Sequence, residues 1–102
     1  MEPPGPNNRR RKSFRDLCER MPAHIKEAAK EAFETFLEDP FDPSLGLHEL
    51  YPAKRGKHYP QSFAVSVTFS YRAIFVIDGN TNVWYWIGSH SDYDSFIGKK
   101  TS

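Results

Sequence analysis

The sequence predicts a single α+β domain in which two N-terminal helices pack on a three- to four-stranded antiparallel sheet. Three observations predict it. Apolar residues recur at helical spacing before residue 39, apolar and polar residues alternate after residue 62, and a proline-rich connection separates the two halves. A length of 102 residues suits one domain, and 15% aromatic residues can supply an aromatic core. We therefore expect a helical layer followed along the chain by a sheet.

The first twelve residues predict a disordered basic arm. Pro3–Pro6 contains three prolines and a glycine, which oppose regular structure, and Arg9–Lys12 is a continuous basic run. Such a run is either an arm that seeks phosphate or a solvated tail. The chain then divides into the arm at 1–12, the folded domain at 13–98 and a frayed tail at 99–102.

Two helices are predicted ahead of the sheet. Ser13 is the predicted N-cap of the first helix, which runs to about Arg20. Pro22 cannot continue it, because the proline ring clashes with the preceding turn. The second helix runs from about Ala23 to Glu38, and its inward face is apolar: Ile25, Ala28, Ala29, Ala32, Phe33, Phe36 and Leu37.

Three strands follow the connection at 40–60. Residues 63–70 alternate between apolar and small polar side chains, as in a half-buried strand. Tyr71–Ile77 is almost continuously apolar and is the predicted central strand, and Asp78-Gly79-Asn80 is a hairpin turn signal. Val83–Ile87 is the third strand, which Gly88 ends. Ser91 or Asp92 then caps a last helical turn.

Composition excludes several classes of protein. The net charge of +1 provides no global basic field of the kind that strong nucleic-acid binders carry, so any anion-binding surface must be local. Cys18 is the single cysteine, which rules out an intrachain disulfide and fits a reducing compartment. No stretch approaches the roughly 18 apolar residues of a membrane span. We expect a cytoplasmic protein with no membrane association.

Arg72 is out of place on an apolar strand. A buried guanidinium is costly unless it is paired, so Arg72 either emerges at a concave face or pairs with a carboxylate such as Glu49. With a turn centred near Asn80, Arg72 lies opposite Gly88, and His90 emerges at the same end of the sheet. A guanidinium and an imidazole at one rim suit phosphate chemistry, because one binds phosphate bidentately and the other exchanges protons near neutral pH.

Two segments carry a resemblance to a known family. Ser70–Phe75 (SYRAIF) and Trp84–Tyr93 (WYWIGSHSDY) resemble the C-terminal half of the RelE/ParE toxin superfamily. Further features upstream resemble the helical hairpin of the same family: Leu17, Met21-Pro22, the helix to Phe36, Asp39-Pro40, Ser44-Leu45 and His48. The resemblance covers about residues 13–97. It is nearest to the histidine-bearing branch with YafQ- and HigB-like toxins.

The resemblance implies a toxin of a type II toxin–antitoxin system that cuts mRNA on the ribosome, with an antitoxin protein as partner. Such toxins use the neighbouring 2′-hydroxyl as nucleophile and leave a 2′,3′-cyclic phosphate. By position, Arg72 would hold the scissile phosphate and His90 would be the acid or base. Tyr93 would orient a base or the phosphate, and Glu49 would be a further base.

The resemblance also implies RNA-binding residues in the connection. Lys54, Arg55 and Lys57 would contact the backbone of mRNA or ribosomal RNA. Trp84 or Trp86 either stacks on a base or packs within the protein. No cofactor is implied, and the four histidines are too far apart in sequence to predict a metal site.

Departures from the family pattern leave two alternatives open. A polar, proline-rich arm stands where the family has a first strand, Ala64 and Ser66 stand where some members carry lysines, and the net charge is near zero. One alternative is a ParE-like inhibitor of DNA gyrase that needs no RNA chemistry. The other is a solitary, non-toxic relative that keeps the fold for binding.

Overall fold

The computed structural model describes residues 4–99. The ends of the predicted arm and tail, residues 1–3 and 100–102, lie outside the described residues. In chain order the elements are β1 Asn7–Arg10, α1 Lys12–Glu19, α2 Ala23–Glu38, a 3₁₀ turn Pro43–Leu45, β2 His48–Leu50, β3 Ser62–Thr68, β4 Tyr71–Asp78, β5 Thr81–Ser89 and α3 His90–Phe96.

The strands form one mixed sheet in the order β1-β5-β4-β3-β2. β1 pairs parallel with β5, and the other three pairs are antiparallel. The predicted α+β class is confirmed, but the sheet has five strands and is not purely antiparallel. The additional strands β1 and β2 lie at the two edges of the predicted three-stranded core.

α2 has its predicted boundaries, whereas α1 begins one residue before the predicted cap. Its N-cap is Arg11, so the prediction that Ser13 caps the helix is wrong. The Ser13 hydroxyl instead donates to the backbone oxygen of Tyr85 at 3.2 Å. A hydroxyl bonded to the sheet cannot satisfy the first N–H groups of the helix, and this contact ties α1 to β5.

The N-terminal segment is ordered from Asn7 to Arg10, so the prediction of a disordered arm is wrong there. The Asn82 amide exchanges hydrogen bonds with the Gly5 backbone: Gly5 N–H donates to Oδ1 at 2.8 Å, and Nδ2 donates to the Gly5 oxygen at 2.9 Å. The Asn8 side-chain oxygen accepts from Trp84 Nε1 at 3.0 Å. Composition misses this strand, because its hydrogen-bond partners lie more than seventy residues away.

Replacing Asn82 by alanine is expected to release this segment. The Asn82 side chain is fully buried, and its removal leaves Gly5 backbone groups unpaired, at a cost of about 1–3 kcal/mol. Urea unfolding should show this loss, and amide exchange should accelerate over Asn7–Arg10. Asn80→Ala, in the exposed turn, is the matched control. Unchanged protection of residues 7–10 in Asn82→Ala would show that β1 is held by its backbone ladder alone.

The helices α1 and α2 cover one face of the sheet, and Trp84 is the centre of that core. Its ring centroid lies 4.6 Å from Phe75, 5.1 Å from Phe36, 6.1 Å from Phe33 and 6.2 Å from Phe14. The short helix α3 covers the opposite face, where a second buried cluster contains Leu50, Ala64, Ile74, Tyr85 and Tyr93. The sheet is therefore covered on both faces.

The β4–β5 hairpin contains a bulge that the alternation of apolar and polar residues does not predict. Uniform pairing places Ile77 opposite Val83, but Ile77 lies opposite Asn82. The register shifts between Ile74 and Phe75, which leaves Tyr85 as the extra residue. Because the bulge adds one residue to β5, the pairs on the side of the bulge away from the hairpin turn have the predicted register.

Beyond the bulge Arg72 lies opposite Gly88, as predicted. Gly88 does not end the strand, because β5 continues to Ser89. A Cβ atom at Gly88 would lie 2.6 Å from a ring atom of Trp86, so the indole rests on the backbone there. Because residue 88 has no side chain, the Trp86 ring can lie on β5 at Gly88, the residue that pairs with Arg72.

Candidate functional site

A shallow pocket of about 380 Å³ lies on the α3 face, where β4 begins and β5 ends. The predicted residues Arg72, His90, Tyr93 and Glu49 are all in its lining. Further polar lining residues are His48, His58, Asp94 and Lys99. The structure thus brings together a guanidinium, imidazoles, a phenol and a carboxylate from four separate parts of the chain.

Arg72 is half-buried at this rim of the sheet. Its Nη1 donates to three backbone oxygens of the β3–β4 turn: Thr68 at 2.9 Å, Phe69 at 3.1 Å and Tyr71 at 3.1 Å. Within residues 4–99, Arg72 forms no ion pair with Glu49, and its Nε and Nη2 have no hydrogen-bond partner. One nitrogen of the guanidinium therefore stabilises the turn, and the N–H groups of Nε and Nη2 are available to bind an anion.

His90 is the first residue of α3, directly after the N-cap. That cap is Ser89, whose hydroxyl oxygen accepts from the Asp92 N–H at 3.2 Å, so the predicted caps Ser91 and Asp92 are wrong. The His90 N–H donates to the Ser70 oxygen at 2.7 Å, which joins α3 to the β3–β4 turn. His90 Nδ1 lies 3.5 Å from Asp94 Oδ2. The carboxylate orients the imidazole and leaves Nε2 for a ligand.

Tyr93 and His48 form a hydrogen-bonded pair beside His90. His48 Nδ1 lies 2.9 Å from the Gly46 oxygen, and because a carbonyl only accepts, Nδ1 carries the proton. His48 Nε2 is then the acceptor for the Tyr93 hydroxyl at 3.0 Å. From the sequence, His48 is only a part of the family resemblance. No local pattern identifies it as a site residue, because the face of the three-residue strand β2 depends on its pairing with β3.

Glu49 borders the pocket, but strand alternation turns its side chain away from His48. Glu49 pairs with Phe63, which belongs to the core beneath α1 and α2, whereas Leu50 belongs to the cluster beneath α3. Successive side chains of a strand point to opposite faces. The structure therefore places His48, and not Glu49, against Tyr93, and Arg72 has no carboxylate partner from β2.

The predicted RNA-binding residues lie on an exposed loop beside the pocket. Lys54, Arg55 and Lys57 are exposed, and none of them lines the pocket. The Lys57 N–H donates to the Phe96 oxygen at 2.7 Å, which holds this loop against the end of α3. These three residues add positive charge beside the site, whereas His58 of the same loop lines the pocket.

Neither tryptophan is free to stack on a ligand. Trp84 is buried in the helix-side core. Trp86 stacks on Phe96 with ring centroids 4.9 Å apart and an interplanar angle of 19°. Of the two alternatives for Trp84 and Trp86, the structure favours packing within the protein for both.

Two buried phenols predict a weakening of the fold at alkaline pH. Burial raises the pKa of Tyr93, and the positive charge of Arg72 opposes that shift. Burial also raises the pKa of Tyr85, and the hydrogen bond with Ser62 opposes that shift. A phenol with a raised pKa in the folded state stabilises the fold fully below its unfolded pKa of about 10. That contribution is lost as the pH rises through the folded pKa.

We therefore expect the free energy of unfolding to fall above about pH 10, and the double variant Tyr85→Phe/Tyr93→Phe to lose less than the wild type. Phenolate absorbance and circular dichroism against pH measure the two effects. Tyr51→Phe removes a phenol that is 75% exposed and is the control. Equal alkaline losses in wild type and double variant would contradict the assignment.

A larger cleft of about 560 Å³ lies on the other face, between α1, α2 and the sheet. Its lining is mostly apolar, and charged residues at its edge include Arg10, Lys26, Lys30 and Glu19. Cys18 also lines it. Burial raises the pKa of the Cys18 thiol, so the thiol stays protonated and unreactive near neutral pH. The groups suited to proton transfer are therefore in the smaller pocket.

Solved structures of low sequence identity share this architecture. The RelB–RelE antitoxin–toxin complex from Methanococcus jannaschii matches with a TM-score of 0.63 at 19% identity, covering 86% of this chain and 98% of that chain. YafQ from E. coli strain BL21(DE3) matches with a TM-score of 0.62 at 11% identity, covering 85% and 96%. The chain has the fold of the RelE/ParE toxins. The toxin–antitoxin complex RelBE2 from Mycobacterium tuberculosis also matches this toxin fold, with a TM-score of 0.58 at 21% identity, covering 86% and 100%.

The fold that the RelE/ParE resemblance implies is confirmed. No protein-family profile matches the sequence, and no curated protein matches it. Among residues 4–99, no helix is long and apolar enough to cross a membrane. His48, His58 and His90 share the pocket, yet the described part of the chain has no group of three potential ligands placed to hold a metal ion. The pocket brings together groups whose chemistry suits proton exchange and the binding of an anion.

Proposed function

We propose that this protein is the toxin of a type II toxin–antitoxin system and that it cleaves mRNA on the ribosome. The observation that carries the proposal is the joint lining of one pocket by Arg72, His90 and the Tyr93–His48 pair. A cation and two proton-exchanging groups are what cleavage by a neighbouring 2′-hydroxyl requires. The toxins with the same fold support it.

The proposed reaction is an in-line displacement at phosphorus. The 2′-hydroxyl oxygen attacks, the bond from phosphorus to the 5′ oxygen breaks, and a 2′,3′-cyclic phosphate remains. The free N–H groups of Arg72 bind the phosphate oxygens and stabilise the additional negative charge in the transition state.

Two proton carriers balance this reaction. The Tyr93 oxygen takes the proton from the 2′-hydroxyl as its own proton passes to His48 Nε2, along the hydrogen bond of 3.0 Å. His90 donates a proton from Nε2 to the leaving 5′ oxygen. Asp94, 3.5 Å from Nδ1, stabilises the charged imidazole before that transfer.

The loop with Lys54, Arg55 and Lys57 would contact the backbone of mRNA or ribosomal RNA next to the pocket. An antitoxin partner is part of the proposal, since two of the similar structures are toxin–antitoxin complexes. The apolar cleft beneath α1 and α2, with Lys26 and Lys30 at its edge, suits an antitoxin segment that carries apolar and acidic side chains.

One observation favours a non-catalytic function, namely the net charge of +1. A protein with so little positive charge gains little long-range attraction to RNA. The second candidate is therefore a solitary protein that keeps the RelE/ParE fold for binding and does not cleave.

Induced expression in a bacterium, with primer-extension mapping of mRNA ends, tests the proposal. We expect growth arrest together with new mRNA ends in translated regions, the upstream fragments ending in a 2′,3′-cyclic phosphate. Arrest with DNA damage and intact mRNA would indicate a gyrase inhibitor. Normal growth with intact mRNA would indicate the solitary binding protein. Either of the last two results overturns the proposed cleavage.

A further inference from the structure

Phe69 is the most solvent-exposed large hydrophobic residue described, with 94% of its surface accessible. It lies at the tip of the turn between β3 and β4, next to Ser70. A phenyl ring in water forgoes about 1.5–3 kcal/mol that burial would give. Phe69 contributes nothing to either buried cluster of the protein, so packing does not explain an aromatic side chain at this position.

The turn that carries Phe69 is held by the residues of the pocket. Arg72 Nη1 donates to the Phe69 oxygen at 3.1 Å and to the Thr68 oxygen at 2.9 Å. The Ser70 N–H donates to Thr68 Oγ1 at 3.1 Å, and the Ser70 oxygen accepts from the His90 N–H at 2.7 Å. The phenyl ring therefore stands on a backbone that is fixed relative to both Arg72 and His90.

The contacts of the turn bring Phe69 close to the candidate phosphate position. The Phe69 backbone oxygen lies 3.1 Å from Arg72 Nη1, so the residue that carries the ring touches the guanidinium. A nucleotide bound by its phosphate to the free N–H groups of Arg72 would therefore lie next to Phe69, whose exposed ring one of its bases could contact. Proteins that bind single-stranded RNA use such exposed aromatic faces for stacking.

We propose that Phe69 is a stacking platform for one unpaired nucleobase of single-stranded RNA, next to the phosphate bound by Arg72. This inference rests on the proposed function and adds a base-binding subsite to it. Stacking on a phenyl ring accepts every base, so the subsite contributes affinity and register more than sequence choice.

Fluorescence anisotropy with a short labelled RNA tests the subsite. The RNA carries 2′-O-methyl groups throughout, which prevent cleavage by removing the nucleophile. We expect Phe69→Ala to weaken binding by about 5- to 150-fold, the effect of losing one stacked base. Phe69→Trp should retain wild-type affinity, because it keeps an aromatic face. Phe41→Ala is the matched control, since Phe41 is exposed on the connection after α2.

Abasic substitutions along the same RNA identify the stacked base. One abasic position should weaken wild-type binding and have no further effect on Phe69→Ala, because both changes remove the same contact. Equal affinity of Phe69→Ala and wild type would overturn the subsite alone. RNA that fails to bind even the wild type would also overturn the subsite, whereas the proposed cleavage on the ribosome is decided separately by the mapping of mRNA ends. Thermal unfolding should be unchanged in Phe69→Ala, since the side chain packs against nothing.

Discussion

Replacing Arg72 by alanine is expected to lower RNA cleavage by about 10²–10³-fold, the usual cost of losing one preorganised donor to the transition state. The physical reason is the loss of the pocket's central cation, whose free N–H groups face the candidate phosphate position. Rate measurements on a single RNA substrate with purified protein and ribosomes give the effect directly.

The same substitution is expected to lower stability, although the domain should still fold. Nη1 of Arg72 donates to three backbone oxygens of the β3–β4 turn, and hydrogen bonds from a charged donor contribute about 1.5–3 kcal/mol. Activity must therefore be compared well below the unfolding temperature of the variant. Arg72→Lys keeps a cation without the planar fork and should recover part of the activity. Full activity in Arg72→Ala would show that the guanidinium serves only the turn.

His90→Ala is expected to lower cleavage by about 10²–10⁴-fold, the range for a lost general acid or base. Stability should change little, because the His90 side chain is half-exposed and the bond to Ser70 uses its backbone N–H. A pH–rate profile that loses one of its two limbs would identify the missing proton carrier.

A matched histidine supplies the control for this prediction. His24 is exposed on α2, on the opposite side of the sheet, and His24→Ala should leave cleavage unchanged. Asp94→Asn should give a smaller loss than His90→Ala, because it removes only the carboxylate that orients the imidazole. Wild-type rates in His90→Ala would exclude the imidazole from the reaction.

Local patterns predict the central part of the fold because each depends on a few neighbouring residues. The boundaries of α2, the central strand and the position of Arg72 opposite Gly88 all agree with the structure. The last agreement depends on the bulge at Tyr85, which compensates for a one-residue difference near the turn. A bulge is chosen by packing on both faces of the sheet, and periodicity alone does not report it.

The candidate site is only partly readable in the same way. Arg72 and His90 are found because an arginine interrupts an apolar strand and a hairpin register brings the histidine to the same end. The pairing of His48 with Tyr93 joins residues 45 positions apart, through the edge strand β2 and the helix α3. The face on which Glu49 lies becomes visible only when the partner residues of so short a strand are known.

The α+β class, the helical hairpin, the antiparallel core and the chemical types available at the rim of the sheet can all be predicted from the chain, since they follow from interactions between residues close in sequence. Three features become visible only in the folded protein: the strand at residues 7–10, the contact of His48 with Tyr93 and the contact of the Phe69 backbone with Arg72. Each of these depends on a partner distant in sequence or on the face of a strand. Burial and long-range hydrogen bonding select among arrangements that local propensity leaves equal.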